Sequence, residues 1–258
     1  MSDNPYQPSA SPATVAPSSI SKVQVRPIEL LKRGYALIES DYWLFLGICF
    51  GGLFIASLVP FGIIMGPMMV GIFLCLQAKE RGQRVEFGDV FKGFDQFAEA
   101  FIATLIVIGF AFLLMIPLIL VFGMAFVAIA VAAEQNGEAV GVLMFPVIAG
   151  FYMAILAVSF LIYLPFLFTF ALMAERKLGG MEAIKTSWAG VKRNFRGCLW
   201  YLIVVSFVSM LGAFACYVPA ILLAPISMAS LQVLYRDIYG GGPDPNVATT
   251  HPSMVPAT

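Results

Sequence analysis

Four stretches of this chain carry no charged residue: 43–78, 100–133, 139–174 and 197–235. The first decides the class of fold. As one helix rising about 1.5 Å per residue it would measure about 54 Å, against a hydrocarbon core of about 30 Å. Pro60, Gly62, Gly66 and Pro67 supply a break, which divides it into a span at about 43–60 and another at about 64–79. A soluble domain has about a quarter charged residues. This chain has 12%, with 60% hydrophobic residues and a mean hydropathy of +0.90. These figures describe an all-α integral membrane protein.

The second and third runs meet at Glu134 to Glu138, a polar turn by composition. Each exceeds one bilayer thickness. Pro117 and Gly123 in one, and Pro146 and Gly150 in the other, mark kinks in two long helices, or divide each run into two shorter spans. The absence of a polar interruption favours two long bent helices. The last run holds two spans, at about 197–215 and 219–236. Residues 1–22 and 241–258 are polar, rich in Ser, Pro, Ala and Asn, and read as disordered tails around a membrane domain at 23–240.

An amphipathic segment precedes each hairpin. Its apolar positions are Ile28, Leu31, Tyr35, Ile38 and Tyr42 in the first, and Phe87, Val90, Phe94, Phe97 and Phe101 in the second. In the third they are Met181, Ile184, Trp188, Val191 and Phe195. Steps of three, four, three and four residues place each set on one stripe of an α-helix. Pro67, Pro165 and Pro225 recur near the ends of the returning spans, with Gly82, Gly179 and Gly240 following. The expected architecture is a polytopic transmembrane helix bundle of about six spans. It is built as three repeats of an amphipathic interfacial helix and a helical hairpin, at about 26–82, 85–179 and 180–240.

With six spans and both termini inside, all 15 Lys and Arg residues fall on the cytoplasmic side. Glu134 and Glu138 are the only charges outside. That is the positive-inside arrangement of a multi-pass cytoplasmic-membrane protein.

Ion coupling, proton relay and intramembrane proteolysis require ionisable or metal-binding groups at membrane depth. Within the four runs the polar side chains are Ser, Thr, Tyr and Gln only, and Glu99 at the edge of the second is the nearest carboxylate. Cys49, Cys75, Cys198 and Cys216 lie singly in apolar sequence and read as small hydrophobes. His251 stands in a tail. No phosphate loop, metal-ligand set or nucleophile beside a base can be assembled, so neither an enzyme nor a cofactor is expected. Gly47 and Gly51, and Gly62 and Gly66, have the spacing for close approach of the first two spans.

The run Gly66-Pro67 through Arg81-Gly82 to Asp89-Val-Phe-Lys-Gly-Phe94, and Met181-Glu-Ala-Ile-Lys-Thr-Ser-Trp188 leading to Asn194-Phe, carry a resemblance. They resemble a bacterial group of polytopic membrane proteins over about residues 26–240. That group includes the membrane domain attached to some glycerophosphodiester phosphodiesterases, and stand-alone relatives of unknown function. The resemblance implies a bacterial membrane location but no catalytic residues, because that membrane domain has none to carry over and this chain lacks the soluble catalytic domain.

The expected role is a membrane scaffold, or a module that contacts lipid or protein, without catalysis. Lys185, Trp188, Lys192, Arg193 and Arg196 form the densest basic and aromatic cluster. They are the candidate contacts for anionic lipid headgroups or for another membrane protein, since an amphipathic helix of this kind lies in the interface. A structural anchor is the plainer reading of the same residues. The alternative function is a permease or lipid-handling transporter for an uncharged or amphipathic solute, bound by serines and tyrosines near the helix breaks. Zero net charge gives no reason to expect nucleic acid.

Overall fold

Apolar runs of this length have two ways to satisfy their backbone, and the chain takes the helical one throughout. The computed structural model describes residues 20–59, 62–135, 139–214 and 218–240. The tail readings for 1–19 and 241–258, the Pro60 break, the turn at 136–138, Cys216 and His251 lie outside these residues. In chain order the helices are α1 (Pro27–Ile38), α2 (Tyr42–Leu58), α3 (Met65–Glu80), α4 (Phe97–Gln135), α5 (Ala139–Phe166), α6 (Thr169–Arg176), α7 (Gly180–Arg193), α8 (Phe195–Phe214) and α9 (Val218–Tyr239). Two 3-10 segments, Glu39–Asp41 and Phe87–Gln96, precede α2 and α4. No strand occurs among the described residues.

Among the described residues five stretches are long and apolar enough to cross a membrane: Pro27–Leu58, Phe87–Val131, Met144–Arg176, Phe195–Phe214 and Val218–Tyr239. The expected second span, at 64–79, differs from them. It is helical, but α3 has only 16 residues. Its length is about 24 Å, short of an about 30 Å core, and most of its side chains are buried by neighbouring helices.

The packed core lies where α3, α6 and the C-terminal half of α9 meet. Phe73 and Leu76 on α3, Leu172 on α6, Tyr235 on α9, and Phe168 just ahead of α6 are fully buried there. Each amphipathic segment lies against one of these helices. The 3-10 helix packs on α3, α7 on α6, and α1 on α9.

The buried faces differ from the expected stripes by about one position. In α1 the buried residues are Pro27, Leu30, Gly34 and Ile38, while Ile28 and Tyr35 are exposed. In α7 they are Gly180, Ala183, Thr186, Ser187, Gly190 and Val191, while Met181 and Phe195 are exposed. Small residues form the seam because the backbones approach closely. A side chain on Gly34 would meet the backbone of Ser230, and one on Gly190 would overlap the Tyr239 hydroxyl.

The second amphipathic segment is a 3-10 helix rather than an α-helix. A capping box starts it: Glu86 N–H donates to Asp89 Oδ2 at 2.8 Å, and the Glu86 side chain accepts from the Asp89 backbone. Three residues per turn eclipse positions three apart. Val90 and Gly93 therefore share the buried line, and Phe91, Phe94 and Phe97 follow one another beside it, with centroids 6.2 and 6.1 Å apart and Phe94 half-buried against the core. Gly71 on α3 lies directly under Val90, and Gly93 directly over Pro67 and Gly71.

The glycine pairs read as a seam between the first two spans serve other neighbours. Gly47 and Gly51 face the ring of Phe87, Gly62 faces Ile108, and Gly66 lies against Ala100 and Thr104 of α4. Contact of α2 with α3 passes instead through Gly52 and Ile72.

The middle hairpin is much longer than the others. At 39 residues α4 runs unbroken through Pro117, about 58 Å. Phe122 and Phe126 pack on Phe151 of α5. Their neighbours Leu113, Leu120, Met124 and Val127 are exposed. The return arm is broken: α5 stops at Phe166, just after Pro165, and α6 starts at Thr169. The N–H of Phe168 donates to Ser187 Oγ of α7 at 3.1 Å, so the break is satisfied from outside the helix.

Candidate functional site

α7 carries the residues singled out from the sequence. Its first turn is fixed by Glu99, whose Oε2 accepts the Gly180 N–H at 2.8 Å. Glu99 is thereby a cap on a neighbouring helix, where a carboxylate is favoured by the helix dipole. At the other end Lys192 and Arg193 stand in the last turn, the favourable place for cations. Lys185, Lys192, Arg193 and Arg196 are all exposed, and Trp188 is half-buried. Lys192 Nζ sits 5.0 Å above the Trp188 ring. Met181, Lys185, Trp188 and Lys192 follow one line along the helix, beside its buried seam, with Trp188 half-buried against the core and Phe195 opening α8 just beyond. The structure thus brings Lys185, Trp188 and Lys192 onto one mixed aromatic and basic stripe, with Arg193 and Arg196 beside it.

A strap crosses the base of α8. The Val23 N–H donates to Asn194 Oδ1 at 2.9 Å, Asn194 Nδ2 donates to the Ser21 carbonyl at 3.0 Å, and Ser21 N–H donates to the Ile238 carbonyl at 2.8 Å. Ile20 is buried. Residues 20–22, inside the stretch expected to be a tail, are therefore part of the packed structure.

Next to the strap, the final turns of the three core helices are joined by charged side chains. Arg236 of α9 pairs with Glu80 of α3 at 2.6 Å, and Gln232 Nε2 donates to the same carboxylate at 3.2 Å. Arg81, just beyond α3, reaches Glu175 of α6 at 4.0 Å. Arg176 of α6 donates to the Tyr239 carbonyl of α9 at 3.0 Å. The circuit closes on itself. Arg33 of α1 adds a two-pronged bond to Asp237, at 2.7 and 3.0 Å. Its geometry makes it the strongest of the set, whereas the exposed Arg81–Glu175 pair contributes little. Lys79 binds Asp41 and Ser40 ahead of α2.

The left-handed residue that closes α6 is Lys177, at φ 50°, and Gly82, at φ 71°, follows α3.

Inside the bundle, Thr169 Oγ1, Gln232 Oε1 and Tyr235 Oη are buried without a hydrogen-bond partner among the described residues. The two cavities described open on the outer surface. One, of about 610 Å³, lies at the elbow between α1 and α2; the other, of about 400 Å³, is apolar and lies between Phe54 and Ile221. Among the described residues no group of His, Cys, Asp and Glu is arranged to hold a metal ion.

Sequence reasoning missed Phe91, Asn194, the elbow and the closed circuit. A signal for the last was present: acidic and basic residues adjoin at the end of every returning helix, in Lys79-Glu80-Arg81, Glu175-Arg176 and Arg236-Asp237. No family model, no curated protein and no solved structure matches this chain.

Proposed function

We propose that this is a six-span protein of a bacterial cytoplasmic membrane, with both termini inside. In this reading it acts without catalysis, as a scaffold whose cytoplasmic rim contacts anionic lipid headgroups or a membrane protein partner. The observation that carries the reading is the stripe of α7 on which exposed Lys185 and Lys192 alternate with exposed Met181 and half-buried Trp188, with exposed Phe195 following at the start of α8. Such a stripe suits the headgroup boundary, and each basic residue near an anionic surface contributes about 1 kcal/mol. Exposed Ile28, Tyr35, Phe87 and Phe91 extend an apolar fringe along the other two amphipathic segments.

Three units are supported by the cyclic packing. Each amphipathic segment covers the returning helix of the unit before it, and α1 covers α9. Six spans follow when α3 is counted as the return of α2, since both are about 25 Å long. The likeness to the membrane domain attached to some glycerophosphodiester phosphodiesterases belongs to this proposal too, without their activity.

A second reading, a permease for an uncharged or amphipathic solute, is favoured by the broken α5–α6 arm and the unpartnered Thr169, Gln232 and Tyr235. Broken helices with free polar groups line the sites of many transporters. The close packing of Phe73, Phe168 and Leu172 around them favours the scaffold.

Native mass spectrometry of the protein released with its lipids tests the choice. Replacing Lys185, Lys192, Arg193 and Arg196 together by Gln is expected to remove retained anionic lipid. Unchanged retention in that variant would sink the lipid-contact reading, and solute uptake into vesicles would then support the permease.

A further inference from the structure

The elbow between α1 and α2 has a composition unlike the rest of the rim. Its cavity is lined by Tyr35, Tyr42 and Trp43, by Glu39 and Asp41, and is floored by Ile226 of α9. The three rings adjoin: Tyr35 and Tyr42 lie 6.3 Å apart, and Trp43 meets Tyr42 edge-on at 5.7 Å. Tyr42 is anchored, because its hydroxyl donates to the Leu222 carbonyl at 2.5 Å. The two carboxylates are not equivalent. Asp41 is neutralised by Lys79, whereas Glu39 is exposed and makes no ion pair among the described residues. The elbow therefore combines aromatic faces with one uncompensated negative charge.

We propose that this elbow binds an organic ammonium group, supplied by the headgroup of a zwitterionic phospholipid. Aromatic faces attract a cation through their quadrupole, and quaternary ammonium groups are recognised by such cages. Glu39 supplies the counter-charge. An anionic headgroup without an ammonium meets repulsion there instead. The place fits a lipid: Trp43, three-quarters exposed, opens the apolar helix α2, which is where amphipathic rings sit at the headgroup level. An acyl chain can continue from the elbow along α2. The volume of about 610 Å³ falls within the range of small-molecule sites. The assignment rests on reading the protein as a membrane protein that contacts lipid, but uses a different surface from the basic stripe of α7.

The test uses the full chain in detergent and native mass spectrometry, with phosphatidylethanolamine, phosphatidylcholine and phosphatidylglycerol of identical acyl chains. With the basic stripe silenced by Lys185→Gln, Lys192→Gln, Arg193→Gln and Arg196→Gln, the protein is expected to retain one of the two ammonium lipids about three- to tenfold over phosphatidylglycerol. Glu39→Gln and, separately, Trp43→Leu are each expected to abolish that preference; both side chains are at the surface, so the fold is retained. Equal retention of all three lipids by that stripe-silenced protein overturns the proposal, and so does a preference that survives both substitutions. Ethanolamine and choline chloride, added free at millimolar concentration, separate the sources. If either displaces the bound lipid, the site reads soluble amines and the lipid assignment falls; if neither does, it stands. A Lys185→Gln/Lys192→Gln variant, which alters only phosphatidylglycerol retention, keeps the failure of the basic stripe distinguishable from failure of the elbow.

Discussion

A methyl group on Gly71 would overlap the carbonyl oxygen of Val90, which is fixed in the backbone of the 3-10 helix and cannot rotate away. Gly71→Ala is accordingly expected to destabilise the protein by about 2–4 kcal/mol, since the helix must lift from α3 or distort. Gly88→Ala, where nothing lies within 4 Å, is the control and should behave as wild type. Thermal unfolding in detergent measures both, and an unchanged midpoint for Gly71→Ala contradicts the contact. Individual glycines show what was not legible. Their four-residue spacings were visible at Gly47/Gly51 and Gly62/Gly66, but spacing does not name a neighbour. The tightest contact, at Gly71, joins residues on either side of a loop and follows no spacing rule. The basic residues on α7 were legible because charge alone keeps such side chains at the surface. Asn194 was not, since its hydrogen bonds are to Ser21 and Val23, far away in sequence.

Among elements, the three amphipathic segments were found by periodicity, yet their faces were placed about one position out. Bulky residues dominate a periodicity search, whereas the seams also contain Gly34, Gly93, Gly180, Ala183, Ser187 and Gly190, small residues that let backbones approach. Ser187 belongs to such a seam and also supports the break between α5 and α6. Removing its hydroxyl leaves the Phe168 N–H buried without a partner, a loss of about 1–3 kcal/mol. Ser187→Ala should therefore speed hydrogen exchange around residues 164–170 by about tenfold or more, leaving exchange in α1 unchanged. Exchange equal to wild type in that segment would show that the break is held by Pro165 alone. The break itself was legible only as a proline; that the chain restarts as α6 depends on α7 being in place.

At the scale of the molecule, the closed circuit of Arg236–Glu80, Arg81–Glu175 and Arg176–Tyr239 gathers the ends of α3, α6 and α9 at one level. In the proposed six-span arrangement these ends leave the membrane on one side, and each returning helix has a partner that goes out: α2 for α3, α4 for α5 and α6, α8 for α9. The proposal then puts residues 136–138 on the opposite side from both tails. Single cysteines placed in a cysteine-free background report this directly. On intact cells a membrane-impermeant maleimide should label Glu138→Cys, and should label Ser9→Cys and Ser253→Cys only after permeabilisation. If Glu138→Cys is protected as well, the two long middle arms each cross twice and the chain has eight spans. If one tail is labelled from outside, the number of crossings is odd. That result would replace the six-span arrangement by one in which α3, only about 24 Å long, does not cross and the five long apolar stretches are the spans.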